Sequence, residues 1–339
     1  MEVISRADIF LKIKLLGSNV ILDFWKDHSS QSVHVKDTKY ISERIRRRFA
    51  KSNPSAIKDW FRSTGILDSG LSRKEKQKHS DLWFLNKERE WLLKKKRDGT
   101  NRGMRYRQVL FCDFFPVPFL GPVRKADVFI LFDNPGFDLL NYEDEYQNSK
   151  AKEFLKVNLR GESPILSDSL IPSGWDTYWR RKINTIASEV VRQASSLGQK
   201  LAIDRARASV LDHIAVIQSC PYHSQRDPRI TREKLESSRI ARSFFQRELI
   251  PRVLNNSILV FVWKKASFWG SGNSDYKWIG ARNAYVHQNG KELSPENKPD
   301  HFLVRPPYAK GSTPPPIQRS IMAEASKIAK FLLGGTILS

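Results

Sequence analysis

The stretch Asp133-Asn134-Pro135-Gly136 closes the apolar run Val128 to Phe132. Such a run reads as a strand buried on both faces, and a carboxylate and an amide at its tip imply that something polar is held there. Asn134 offers an amide at the strand tip, unless it is only a turn residue before proline. Asp133 beside it either supplies a base or caps the next turn. Three further stretches carry polar groups in the same way. "QSCPYHSQRDP", from Gln218, offers amide, hydroxyl and imidazole groups. By its ordinary titration range His223 is the acid/base candidate there, against a satisfied structural histidine. "KKASFWGSGNS" is a glycine-serine turn, and "RPPYAKGSTPPP", from Arg305, is a basic, proline-rich loop able to hold phosphate. None of these is a nucleotide-binding loop: there is no GxxxxGK[ST], and no GxGxxG opens a helix.

The elements that would position these groups follow from periodicity. Strands are expected at Val128 to Phe132, His213 to Gln218, Ser257 to Trp263 and His301 to Val304, each short, apolar and bounded by turn residues. Helices are expected at about Asp176 to Leu197, Thr231 to Val253 and Ile317 to Leu333, with a hairpin around Asn289-Gly290. Strands alternating with helices predict a three-layer α/β/α domain over 109–339 with a short central parallel sheet. In such sheets the working groups sit where loops leave the carboxyl ends of the strands, and the four polar stretches fall there.

Residues 1–108 read as a basic, mainly helical N-terminal extension. The first 110 residues carry 26 basic and 13 acidic side chains, more than half of the chain's net charge of +22. Ser42 to Phe61 and Ser72 to Gly99 contain amphipathic patterns, the second with Leu82, Trp83, Leu85, Trp91, Leu92 and Leu93 on its apolar side. A charge of that size in 339 residues, 40% of them hydrophobic, points to a polyanionic partner, with nucleic acid favoured over an anionic membrane surface. The two cysteines, Cys112 and Cys220, have no metal-ligand spacing, so a reducing cytoplasm and no structural zinc are expected. No apolar run is long enough to span a bilayer, and Met1 to Val20 lacks the pattern of a signal peptide.

A buried strand ending in a polar residue and then Asn134-Pro135-Gly136 resembles the first motif of the uracil-DNA glycosylase superfamily, whose members end that strand in Gly-x-Asp/Asn-Pro followed by Tyr or Gly. The order of the later pieces is similar too: a middle strand whose tip reads the base, a strand with a small turn, and a last strand leading to a DNA-gripping loop and a final helix. Two departures stand out. The family's glycine two residues before Asn134 is Phe132 here, and the second motif, usually His-Pro-Ser-Pro, corresponds by position to Arg305-Pro306-Pro307-Tyr308.

The resemblance implies an enzyme without metal or cofactor that hydrolyses the N-glycosidic bond of a pyrimidine flipped out of double-stranded DNA. Asn134 would hold the attacking water, and Arg305, in place of histidine, would stabilise the leaving base or hold phosphate. Gln218 or Ser219 would read the base edge, and Phe137 or Tyr142 would stack on the base or join the core. Tyr308 would wedge into the gap left in the stack, with Lys310, Gly311, Ser312 and Thr313 gripping the backbone. Gly136 stands where uracil-restricted members place a large ring, which implies room for a substituent at carbon 5 or else a positive-φ turn. A modified pyrimidine is therefore expected, and a role in phage defence, which some members have. Two other classes fit parts of the sequence. One is a non-enzymatic DNA- or RNA-binding protein on the same scaffold. The other is a metal-dependent nuclease using Asp113, Asp133, Asp138, Glu143, Asp144 and Glu145.

Overall fold

The computed structural model describes residues 19–26, 28, 33–50, 70, 72–74, 76, 115–135, 149–164, 173–224, 232–254, 257–262, 266–269, 284–286 and 317–334. In chain order they form α1 (Val20–Trp25), α2 (Val35–Ala50), β1 (Phe119–Leu120), β2 (Val128–Phe132), α3 (Ser149–Asn158), α4 (Ser173–Ser196), α5 (Ile203–His213) and β3 (Ile214–Gln218). A 3-10 turn (Arg232–Lys234) then leads into α6 (Glu236–Phe244), a π-helical segment (Phe245–Leu249) and α7 (Ile250–Leu254). β4 (Leu259–Val262), α8 (Ala266–Trp269), β5 (Ala284–Val286) and α9 (Ile317–Gly334) follow.

The strands make one mixed sheet in the order β1-β3-β2-β4-β5, in which β3, β2, β4 and β5 run parallel and β1 is antiparallel to β3. β2 is central. Its residues alternate between two cores, as the period of two demands. Val128 and Ile130 join Ile214, Val216, Leu259 and Phe261 under α4, α5 and α9, whereas Phe129 and Leu131 join Ala215, Ile217, Val260 and Val262 under α1, α6 and the π segment. Both faces are covered by helices. That explains why β2, β3 and β4 are apolar throughout rather than alternating.

The charge-based division at 108/109 falls outside the described residues, but the helices before it are continuous with the α/β core. Ile21, Leu22 and Trp25 of α1 are buried in the same cluster as Phe129 and Phe244. Asn19 caps α1, its side chain accepting the Leu22 N–H at 3.2 Å, and the Val20 N–H donates to the Glu248 carboxylate of the π segment. Gly161, after α3, has φ +71, and a Cβ there would stand 2.5 Å from Leu22 Cδ2. That position requires glycine for both conformation and space.

Several expectations change. The sheet is not wholly parallel, because β1 adds an antiparallel edge. β5 occupies the other edge at Ala284–Val286, a stretch whose sequence reads as part of a hairpin; Asn289-Gly290 and the expected strand His301 to Val304 lie outside the described residues. α5 has no counterpart among the expected helices. Its buried face is only Ala206 and Val210, too small an apolar stripe to register as a period, and its last residue, His213, is helix rather than the expected start of a strand. α2 starts seven residues before Ser42, while most of Ser72 to Gly99 is outside the described residues. Among the described residues no helix is long and apolar enough to cross a membrane.

Candidate functional site

At the carboxyl ends of β2 and β3 the apolar pattern gives way to buried polar residues. Phe132 pairs with Gln218 in the register, so Asp133-Asn134 and Ser219-Cys220 leave the sheet side by side. The Ser219 and Cys220 N–H groups donate to the Phe132 and Asp133 carbonyls at 3.0 and 2.8 Å, extending the ladder past the last strand residues. The Ser224 N–H donates to the Pro135 carbonyl, closing the segment back onto the β2 tip.

Asn134 is 7% exposed. Its Nδ2 faces three oxygens: the Pro135 carbonyl at 2.8 Å, and the Ser224 carbonyl and hydroxyl at 3.0 Å each. Two of these are carbonyls and can only accept, so the amide is fixed with its NH2 towards them. No donor among the described residues reaches Oδ1. The result is an oriented amide that presents an acceptor at the tip of the central strand.

Gln218 supplies a second one. It is 3% exposed, and its Oε1 is buried without a hydrogen-bond partner among the described residues. An orphaned buried carbonyl is costly, and a ligand donor would relieve that cost.

Asp133 departs from its expected roles as base or cap. Its carboxylate is ion-paired with Arg232 at the start of the 3-10 turn, with both side chains buried. Ser219 completes this bracket: its hydroxyl donates to the Asp133 carbonyl at 2.7 Å and accepts from Arg232 Nε at 2.9 Å. Ser219 is therefore committed to the scaffold, which leaves Gln218 as the residue of the pair with an available acceptor. His223 is buried in the same wall. The Cys220 thiol, also buried, is pushed up to about 12 by desolvation, so it stays protonated and unreactive.

The structure thus brings together Asp133, Asn134, Gln218, Ser219 and His223. Gly136, Phe137, Tyr142, Arg305, Tyr308, Lys310, Gly311, Ser312 and Thr313 lie outside the described residues. Two members of the site carry no signal of their own in the sequence: Arg232, one of several basic residues in its stretch, and Ser224, one hydroxyl in a polar cluster. Nothing local to either residue marks its partner. No protein-family model matches the chain, and comparison with curated proteins and with solved structures finds no match.

Proposed function

We propose that the protein is a DNA glycosylase with a uracil-DNA-glycosylase-like α/β/α domain, hydrolysing the N-glycosidic bond of a flipped, modified pyrimidine in double-stranded DNA. The observation that carries this reading is the Asn134 amide, held by three acceptors on Nδ2 so that Oδ1 is presented at the strand tip. Glycosidic cleavage passes through an oxocarbenium-like sugar, for which the protein must place a water and stabilise the departing base. Asn134 Oδ1 accepts a hydrogen bond from that water. Gln218 Oε1 accepts one from an N–H on the base edge, which satisfies its buried oxygen only when substrate is bound. Arg305 and Gly136 keep the roles implied by the family resemblance, leaving-base or phosphate binding and room at carbon 5. The net charge of +22 supports a polyanionic partner. A function in phage defence follows from the modified-base preference.

The nuclease reading is weaker at the one of its acids that the structure describes. Asp133 already neutralises Arg232, so it would have to surrender a buried ion pair to bind a cation. The discriminating experiment incubates the protein with DNA containing uracil or bulky carbon-5-modified pyrimidines, with and without EDTA, and identifies released bases by mass spectrometry. Asn134→Ala is expected to slow base release by about a hundredfold or more at nearly unchanged DNA affinity, the pattern for an interaction made in the transition state. A fully active Asn134→Ala protein would overturn the mechanism. Strand cleavage that needs metal would establish the nuclease instead, and DNA binding without abasic sites would mean a binding protein.

A further inference from the structure

We infer that α2 sets the position of Asn134 through Asp37 and Tyr222, so that the N-terminal segment belongs to the site's machinery. The catalytic consequence rests on the glycosylase reading, whereas the positioning itself does not. Asn134 is held by Ser224, and Tyr222 lies two residues before Ser224 in the same segment. Tyr222 is fully buried, where phenylalanine would fill nearly the same volume with no hydroxyl to satisfy. That hydroxyl donates to Asp37 Oδ2 at 2.6 Å and accepts the His34 main-chain N–H at 3.2 Å.

Asp37 is itself fully buried on the inner face of α2. Its Oδ1 accepts the Ser237 N–H at the start of α6, at 3.2 Å. From α6, the Ser238 hydroxyl donates to the Ser219 carbonyl at 2.6 Å. The segment from Ser219 to Ser224 is therefore fastened at one end by α6 and Arg232 and near the other by α2. Among the described residues no cation is paired with Asp37, and burial raises its carboxyl above the ordinary range. Burying a carboxylate without a paired cation costs desolvation and adds little to packing. What it does provide is a directed hydrogen bond joining three elements. The opposite face of α2 carries exposed Lys36, Lys39 and Arg47. A backbone phosphate bound there would bear on the helix that fixes Tyr222.

The test uses the full chain as wild type, Tyr222→Phe, Asp37→Asn and the surface control Lys125→Ala, an exposed position before the amino end of β2. Two quantities are read: the single-turnover rate of base release at saturating enzyme, on duplexes carrying uracil or a bulky carbon-5-substituted cytosine, and the Asn134 side-chain NH2 signal by NMR, assigned by its loss in Asn134→Ala. Tyr222→Phe is expected to lower the rate about tenfold through misplacement of Asn134, with DNA affinity within about twofold, and to shift the Asn134 signal. Asp37→Asn, which keeps one acceptor where Asp37 uses two, should shift the Asn134 signal and lower the rate less than Tyr222→Phe does, and Lys125→Ala should leave both rate and signal unchanged. If Tyr222→Phe does not fold, Asp37→Asn decides alone, by a shifted or an unmoved Asn134 signal. An unmoved signal and rate in the folded variant overturn the inference. If the wild type releases neither base, the glycosylase reading fails, and the NMR signal still decides whether α2 positions Asn134.

Discussion

Asn134 and Asp133 are neighbours whose side chains meet opposite demands. Asn134 needs its NH2 group, because two carbonyls point at it. Asn134→Asp should therefore be worse for folding than Asn134→Ala, since it aims a carboxylate at those carbonyls; a loss of about 2–4 kcal/mol is expected from denaturant titration. Asp133 needs a cation. Arg232→Met leaves its charge buried and unpaired and should cost about 3–5 kcal/mol, while Arg232→Met combined with Asp133→Asn should recover much of that loss. A double-mutant cycle by urea unfolding measures the difference, and independent, additive losses would mean the pair is not coupled. The polar stop at Asp133-Asn134 is legible in the sequence because a strand buried on both faces has no other reason to end so. Its partners are not. Arg232 lies 99 residues from Asp133 and Asp37 lies 185 from Tyr222, and nothing in the local pattern selects them from other arginines and aspartates.

Among the elements, legibility follows burial. β2, β3 and β4 stand out because both their faces are covered, and α4 and α9 because their apolar stripes are long; α5 hides behind two buried side chains, and the π segment shifts the phase so that adjacent Phe244 and Phe245 both reach the core. The way elements are locked together gives two measurable consequences. Gly161→Ala forces a side chain into a positive-φ position against Leu22 and should destabilise by about 1–3 kcal/mol, seen as a lower urea midpoint. α4 and α9 are tied by Gln193, whose Nε2 donates to the carbonyl and hydroxyl of Ser326, both at 2.9 Å, and to Glu189. Hydrogen bonding by Arg192 holds the Glu189 carboxyl at about 2, below its ordinary 4.5. Its contribution to stability is thus present above pH 4.5 and is lost as pH falls through about 2. The stability gap between wild type and Glu189→Gln should be constant near neutrality and close over that acid window; a gap that stays open at the acid end would refute the linkage.

For the whole molecule, the division drawn from charge and the division drawn from packing differ. Basic side chains mark the first third as distinct, yet Ile21, Leu22 and Trp25 sit in the core under the sheet, each worth roughly 1.5–3 kcal/mol of burial. Removing residues 1–105 should therefore abolish folding rather than trim affinity. Charge reversal at Lys36, Lys39 and Arg47 tests the surface instead: DNA binding should weaken uniformly across sequences, and the slope of log affinity against log salt should flatten by about one for each phosphate no longer neutralised. Circular dichroism on the deletion and salt titrations on the triple variant check the two halves of this expectation.

Cys220 lies between Gln218 and Tyr222, sealed from solvent, with a thiol pushed up to about 12. In a Cys112→Ser background a thiol reagent can reach it only when that segment opens, so the labelling rate is a clock for breathing at the strand tips. Bound DNA that closes over those tips should slow the clock, whichever base it carries and whether or not any bond is cut.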